Sequence, residues 1–244
     1  MSLSIIIPTL NEAAALPATL ANVAKLDPQP LEVIVADAGS EDQTVEIAEQ
    51  FGARVLTDLP RGRASQMNAG ASAAQGDLLC FLHADTEIPT DFSELAAQVL
   101  RDPNTALAGF ISIMRGAGGV RRVTTAHNFI KTWYAPLLFR PVSFFRGTRL
   151  LFGDQVMICR HTDFDAVGGW DPNQTIMEEA DMCLRMVRAG RGRVKQVPRK
   201  VWSSDRRVAE WGFWRANLTY LYVGLLWGFG ARPERLSEHY EDVR

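Results

Sequence analysis

The stretch Gly76-Asp77-Leu78-Leu79-Cys80-Phe81-Leu82-His83-Ala84-Asp85-Thr86 constrains the fold most. Its apolar run, Leu78 to Leu82, has the length of a strand and is polar only beyond its ends. A strand without polar alternation is buried on both faces, as in a parallel sheet covered by helices on each side. Ligands of open α/β sheets bind beyond the carboxyl ends of the strands. His83 and Asp85 stand at that end. A carboxylate one residue past a histidine suits a metal or phosphate site there; a loop acid that merely ends a strand is the plainer alternative.

The rest of the chain follows the same alternation. Leu3 to Ile7 reads as a first strand stopped by Pro8, and Ala13 to Lys25 as a helix. Leu31 to Ala36 reads as a second strand ending at Asp37, followed by a helix from about Gln43 to Phe51. Ala53 to Leu56 is a short third strand, and Arg63 to Gln75 a small-residue helix leading into the stretch above. Strands alternating with helices imply βαβ units with right-handed crossovers. Beyond Asp85 the pattern predicts a helix over Pro89–Arg101, strands over Ala106–Met114, Val156–Cys159 and Val194–Val197, and a helix over Met177–Ala189. Val120 to Phe152 mixes aromatics with Arg and Pro and is expected as an irregular segment flanking or covering the site. Arg207 to Trp227 reads as mostly helical. The expected fold is α/β, a mostly parallel central sheet flanked by helices, with residues 1–204 as the catalytic domain and 205–244 as a C-terminal helical appendage.

Composition narrows the function classes. A formal net charge of -2 over 244 residues gives no support for nucleic-acid binding by the chain as a whole. Cys80, Cys159 and Cys183 are far apart and lack metal-ligand spacing, so they read as reduced core residues of a cytoplasmic protein. The N-terminus lacks the basic leader and apolar core of a signal peptide. No window reaches the roughly 20 apolar residues that span a bilayer. Leu218 to Phe229 comes nearest, and suits core docking, a dimer interface or peripheral contact with the inner face of a membrane.

Three polar groups recur at predicted strand ends: Pro8-Thr9-Leu10-Asn11-Glu12, Asp37-Ala38-Gly39-Ser40 and His83-Ala84-Asp85. In a parallel sheet they converge on one rim. Neither common backbone cradle for phosphate follows the first strand, so a bound diphosphate there needs a divalent cation and side-chain cations. Asp85 supplies an oxygen ligand, with His83 as a candidate second. The segment Arg61-Gly62-Arg63 through Asn68 to Gly70 offers guanidinium and amide groups to a polar ligand, or simply a basic loop and helix start. Glu178, Glu179 and Asp181 open a helix, where the dipole favours acids in any protein and where a general base is also well placed. Arg185 to Arg207 holds nine Lys or Arg residues and one acid, and the Arg206-Arg207 pair suits a diphosphate.

Taken together, Pro8 to Glu12, Val35-Ala36-Asp37-Ala38-Gly39-Ser40, His83-Ala84-Asp85 and Glu178-Glu179-Ala180-Asp181 resemble the family 2 glycosyltransferases of the GT-A fold, from the N-terminus to about residue 200. Gly153-Asp154-Gln155, Met177-Glu178-Glu179 and Ser204-Asp205-Arg206-Arg207 resemble, more narrowly, a bacterial subgroup, the radical-SAM/selenodomain-associated glycosyltransferases. The resemblance implies a nucleotide-diphosphate sugar donor, UDP-linked above all, with Mn²⁺ or Mg²⁺ and inversion at the anomeric carbon. It places Pro8, Thr9, Glu12 and Asp37 at the nucleoside, Arg63 near the donor, Asp85 as the last acid of an Asp-x-Asp metal motif, and Glu179 as the base for an acceptor hydroxyl. With Asn11, Asn68, His83, Arg206 and Arg207 from the strand ends and basic segments, these form the expected donor site, and Glu178 joins Glu179 and Asp85 as the expected catalytic group. The acceptor is unspecified, a lipid-linked one being compatible with the aromatic middle segment. Three positions depart from the family pattern: His83 replaces its first metal acid, Ala38 its second turn acid, and Glu179 its usual Asp. A sugar nucleotidyltransferase and a non-catalytic nucleotide-sugar-binding protein are the alternatives.

Overall fold

The computed structural model describes residues 1–232 and Leu236. The first half alternates strictly: β1 (Leu3–Thr9), α1 (Leu16–Val23), β2 (Glu32–Asp37), α2 (Thr44–Gln50), β3 (Arg54–Leu56), α3 (Arg63–Ala73) and β4 (Leu78–Phe81). Then come β5 (Thr86–Glu87), α4 (Phe92–Leu100), β6 (Thr105–Gly116), β7 (Gly119–Val120), α5 (Arg122–Phe139) and α6 (Pro141–Phe145). A single 3₁₀ turn, Gly153–Gln155, leads to β8 (Met157–Arg160), α7 (His161–Ala166), α8 (Glu178–Arg188), β9 (Arg193–Ser204), α9 (Arg206–Trp211) and α10 (Phe213–Gly228).

Among the described residues the strands form one sheet in the order β3-β2-β1-β4-β8-β6-β9-β5, with β7 pairing β6. β1 pairs β2 and β4 in parallel, and β2 pairs β3 in parallel. β8 runs antiparallel to β4 and to β6, so the second half of the sheet is mixed. Burial on both faces of the parallel half is visible residue by residue. Ile5, Ile7, Leu78, Cys80 and Leu82 join one core layer with α1 and α4, while Ile6, Leu79 and Phe81 join the other with α3, α7 and α8. All three cysteines are free and buried, and burial pushes their thiols up, which fits inert core residues.

Two expectations need correction. The segment expected to be irregular, Val120 to Phe152, contains the 18-residue helix α5 and the short α6. Pro136 sits inside α5, but only one turn from its end, where few ladder bonds are lost. The strand expected over Val194–Val197 runs on to Ser204. Pro198 and Arg199 fall in a register shift, since Phe110 pairs Val197 and the next residue, Ile111, pairs Lys200. A bulge is where a sheet tolerates proline.

The C-terminal helices are not a separate layer. α10 sends Val223 and Trp227 into the main core, and Met114, Val208 and Ala216 form a satellite cluster around α9. Gly212, at φ +80, takes the left-handed turn that divides α9 from α10 and splits the single helix expected there. The remainder of the expected appendage, residues 233–235 and 237–244, lies outside the described residues.

Candidate active site

The carboxyl ends of β1 and β4 open into a cleft of about 590 Å³. Pro8, Thr9 and Glu12 form its floor beside His83 and Asp85, and Arg61 to Arg63, Met177 to Glu179 and Ser204 to Arg207 form its walls. That volume suits a small-molecule ligand.

One group of lining residues is built on Asp85. Arg206 donates from Nη1 and Nη2 to the two carboxylate oxygens of Glu12, each at 3.1 Å. The same Nη2 lies 3.6 Å from Asp85 Oδ2. Asp85 keeps 22% of its side chain exposed. Burial raises its carboxyl above the usual range, with Arg206 pulling the other way.

A second group is built on Glu179. Met177 holds φ +64 without a glycine's freedom, and the strained turn delivers Glu178 and Glu179 into the first turn of α8. Both are buried. Arg63 donates to Glu178 Oε1 at 3.0 Å and lies 3.8 Å from Glu179 Oε1. Burial first, and the neighbouring Glu178 charge second, push the Glu179 carboxyl up to about 8, against the opposing pull of Arg63. A helix N-terminus favours carboxylates by up to about 1 kcal/mol at exposed sites, so desolvation wins here.

Gly153 faces this carboxylate. A Cβ added there would lie 2.5 Å from Glu179 Oε1 and 2.6 Å from His83 Nε2, so only glycine lets the turn approach both. α5 holds that turn in place: Asn128 Nδ2 donates to Asp154 Oδ2 at 2.8 Å, and Gln155 Nε2 donates to Thr132 Oγ1 at 3.0 Å. Val156, β-branched and at φ +51, closes the turn in a second strained conformation. Lys131, also from α5, sets its ammonium 3.6 Å over the Phe152 ring. Burial lowers its pKa to about 8, although Asp154 and Glu179 pull it upward.

Several expected donor residues are placed differently. Asp37 is 1% exposed and away from the cleft wall. Its carboxylate accepts from Thr9 Oγ1 at 2.9 Å, from the Gly39 and Ser40 amides at 2.9 and 2.8 Å, and from Ser40 Oγ. A nucleoside reaches it only by displacing one of these partners. Asn11 turns outward, accepting from the Glu41 amide at 2.9 Å. Asn68 is spent on Trp170, donating to its carbonyl and accepting from its amide, both at 2.8 Å. His83 and Asp85 also diverge: the ring lies at Gly153 and Glu179, whereas the charges acting on Asp85 are Arg206, Glu12 and Arg63. Arg207 lines the cleft wall next to Arg206.

No cluster of three or more His, Cys, Asp or Glu side chains that could hold a metal occurs among the described residues. The donor chemistry therefore fits a shared ion rather than a protein cage. Magnesium-like cations are commonly held by one or two carboxylates and completed by substrate phosphates and water. Asp85, a carboxylate burdened by burial and only partly offset by Arg206, meets that description.

The sequence reading missed Lys131 and the approach of Gly153, and it offered Gln66, within the Arg61 to Gly70 segment, to a polar ligand. Gln66 donates to the Thr9 and Ala36 carbonyls at 2.6 and 2.8 Å, tying α3 to the first two strand ends.

Compared with solved structures, the architecture is that of the GT-A glycosyltransferases. A mannosyltransferase from Pyrobaculum calidifontis, in complex with GDP-Man and Mn²⁺, superposes with a TM-score of 0.69 at 17% identity, over 99% of this chain and 65% of that one. Glucosyl-3-phosphoglycerate synthase from Mycobacterium tuberculosis, in complex with Mn²⁺, UDP-glucose and phosphoglyceric acid, superposes with a TM-score of 0.62 at 21% identity, over 94% and 80% of the chains. The sequence profile of glycosyl transferase family 2 matches residues 4–164, and the chain belongs to that family. A PGL/p-HBAD biosynthesis glycosyltransferase of Mycobacterium bovis is 42% identical over 91 residues, 35% of this chain and 36% of the relative. A dolichyl-phosphate hexose transferase of Haloferax volcanii is 28% identical over 126 residues, 52% and 54% of the two chains. These matches span about a third to a half of the relatives' lengths.

Proposed function

We propose that the chain is an inverting glycosyltransferase that moves a sugar from a UDP-linked donor to an acceptor hydroxyl, with Glu179 as general base. The observation that carries this reading is one cleft lined both by a cation-compatible carboxylate, Asp85, and by a proton-holding carboxylate, Glu179. In this reading residues 1–204 form the catalytic domain and the helices from 205 onward close it. UDP-glucose and GDP-Man in the complexes of the two superposed enzymes support a nucleotide-sugar donor.

Pro8, Thr9 and Glu12 bind the nucleoside end, with Arg63, Arg206 and Arg207 along the diphosphate path. A divalent cation held by Asp85 and shared with the donor's phosphate oxygens would neutralise the charge on the departing diphosphate. The acceptor oxygen attacks the anomeric carbon as its bond to the diphosphate oxygen breaks, and that oxygen keeps the bonding electron pair. Glu179 takes the acceptor proton. A base poised near 8 is well matched to a hydroxyl that becomes acidic only as its oxygen attacks. Glu178 holds Arg63 against the pair and keeps Glu179 basic. A lipid-linked acceptor is supported by the name of the Haloferax volcanii relative.

The test is a panel of UDP-, GDP-, CDP- and dTDP-sugars with and without Mn²⁺, read by thermal shift and by product. Saturation at about a hundred times Kd stabilises a protein by roughly 2.7 kcal/mol. Release of nucleoside diphosphate is the expected product. Pyrophosphate would mark a nucleotidyltransferase, and binding without turnover a sensor; no metal-dependent response to any donor would sink the reading.

A further inference from the structure

α5, α6 and α10 expose an unusual surface. Phe129, Trp133, Leu138, Phe145, Trp214 and Phe229 all present large apolar side chains to solvent, Phe145 at 80% and Trp214 at 75% exposure. Surface hydrophobes are normally scattered singly; a concentration on packed neighbouring helices marks an interaction site. α5 packs against both α6 and α10, so the three helices that carry these side chains are neighbours. Ring contacts between Phe139 and Phe229, and the Gly228 backbone lying against Phe139, tie the ends of α5 and α10 together.

The charge on this region selects the partner. α5, α6 and α10 contain no Asp or Glu. Arg122, Arg146, Arg215 and Arg232 are exposed. Two copies meeting through this face would bring like charges together, which is unfavourable. An anionic lipid surface satisfies both features at once: aromatic and aliphatic side chains enter the acyl boundary while Arg side chains reach the headgroups. No helix of the described residues is long and apolar enough to cross a membrane, so these helices would lie in the interface.

We propose that the face formed by α5, α6 and α10 docks on a bilayer carrying anionic headgroups. Docking does not depend on the role of Glu179.

The test uses the full chain and no donor, so its failure is separate from failure of the transferase reading. Co-sedimentation is measured with vesicles of phosphatidylcholine alone and of phosphatidylcholine with phosphatidylglycerol. Binding to the anionic vesicles should be strong at low salt and weaken as salt screens the Arg side chains. Trp214→Glu with Phe145→Glu, both at exposed positions, should lower it about tenfold or more, and Arg122→Glu with Arg146→Glu should remove the preference for phosphatidylglycerol. Unchanged melting temperatures would show that these variants fold. Equal binding to both vesicles overturns the anionic assignment. Binding to neither overturns docking, and a dimer broken by the same variants assigns the face to self-association instead.

Discussion

Replacing Glu179 by Gln should make the protein less active and more stable, and the stability gain should grow with pH. The buried carboxyl is raised from 4.5 to about 8. Between those values the folded chain holds a proton that the unfolded chain has released, so wild-type stability falls as pH rises, and the full loss is reached above about 8. Every tenfold gain in the carboxylate's proton affinity corresponds to about 1.4 kcal/mol, giving a ceiling of roughly 4–5 kcal/mol. Water entering the open cleft and relaxation around Arg63 bring the expected value nearer 2 kcal/mol. Gln has the same shape and cannot ionise, so this contribution vanishes in the variant. The two proteins should melt together near pH 4, and by pH 9 the variant should melt about 4–8 °C higher, at roughly 2–4 °C per kcal/mol for a chain of this size. Thermal unfolding by circular dichroism from pH 4 to 9 measures the difference directly. A difference independent of pH, or one that shrinks as pH rises, refutes the assignment of a burial-raised carboxyl. Transfer by the same variant should drop by about a hundred- to ten-thousand-fold while donor binding persists.

Three further outcomes follow from the site. The wild-type kcat/KM should climb with pH and level off near 8, as Glu179 loses its proton; a profile flat from pH 5 to 9 would assign the base elsewhere. Gly153→Ala places a Cβ 2.5 Å from Glu179 Oε1 and 2.6 Å from His83 Nε2, so it should cost about 1–3 kcal/mol in chemical denaturation and reduce kcat more than donor affinity. Asp85→Asn should erase the Mn²⁺ dependence of donor-induced stabilisation in a thermal-shift titration; an undiminished Mn²⁺ response would place the ion on other ligands.

Much of the parallel half was legible because its physics is local. An uninterrupted apolar run such as Leu78 to Leu82 has one stable home, a strand covered on both faces, and the structure divides its side chains between two core layers accordingly. α5 was illegible for the opposite reason. Phe129, Ile130, Trp133 and Leu137 face solvent while Thr124, Asn128 and Thr132 are buried, so the helix reverses the usual apolar-inward pattern. β9 was cut short at Val197 because proline ordinarily ends a strand, and only the bulge opposite Phe110 and Ile111 lets it continue.

For the site itself, the residues alone determined which groups stand at the strand ends: Glu12, Asp37, His83 and Asp85 are there because β1, β2 and β4 stop where their apolar runs stop. Tertiary structure decided which of them face the cleft and in what charge state. Asp37 is turned into its own loop by Thr9 and Ser40, Arg206 crosses 194 positions of sequence to Glu12, and Gly153 admits His83 and Glu179 to one point. Burial is a property of the assembled neighbourhood, set by elements far apart in the chain. The same Glu179 that would be an ordinary acid on an open helix has its carboxyl pushed up to about 8 only when α5, the 3₁₀ turn and α8 close around it.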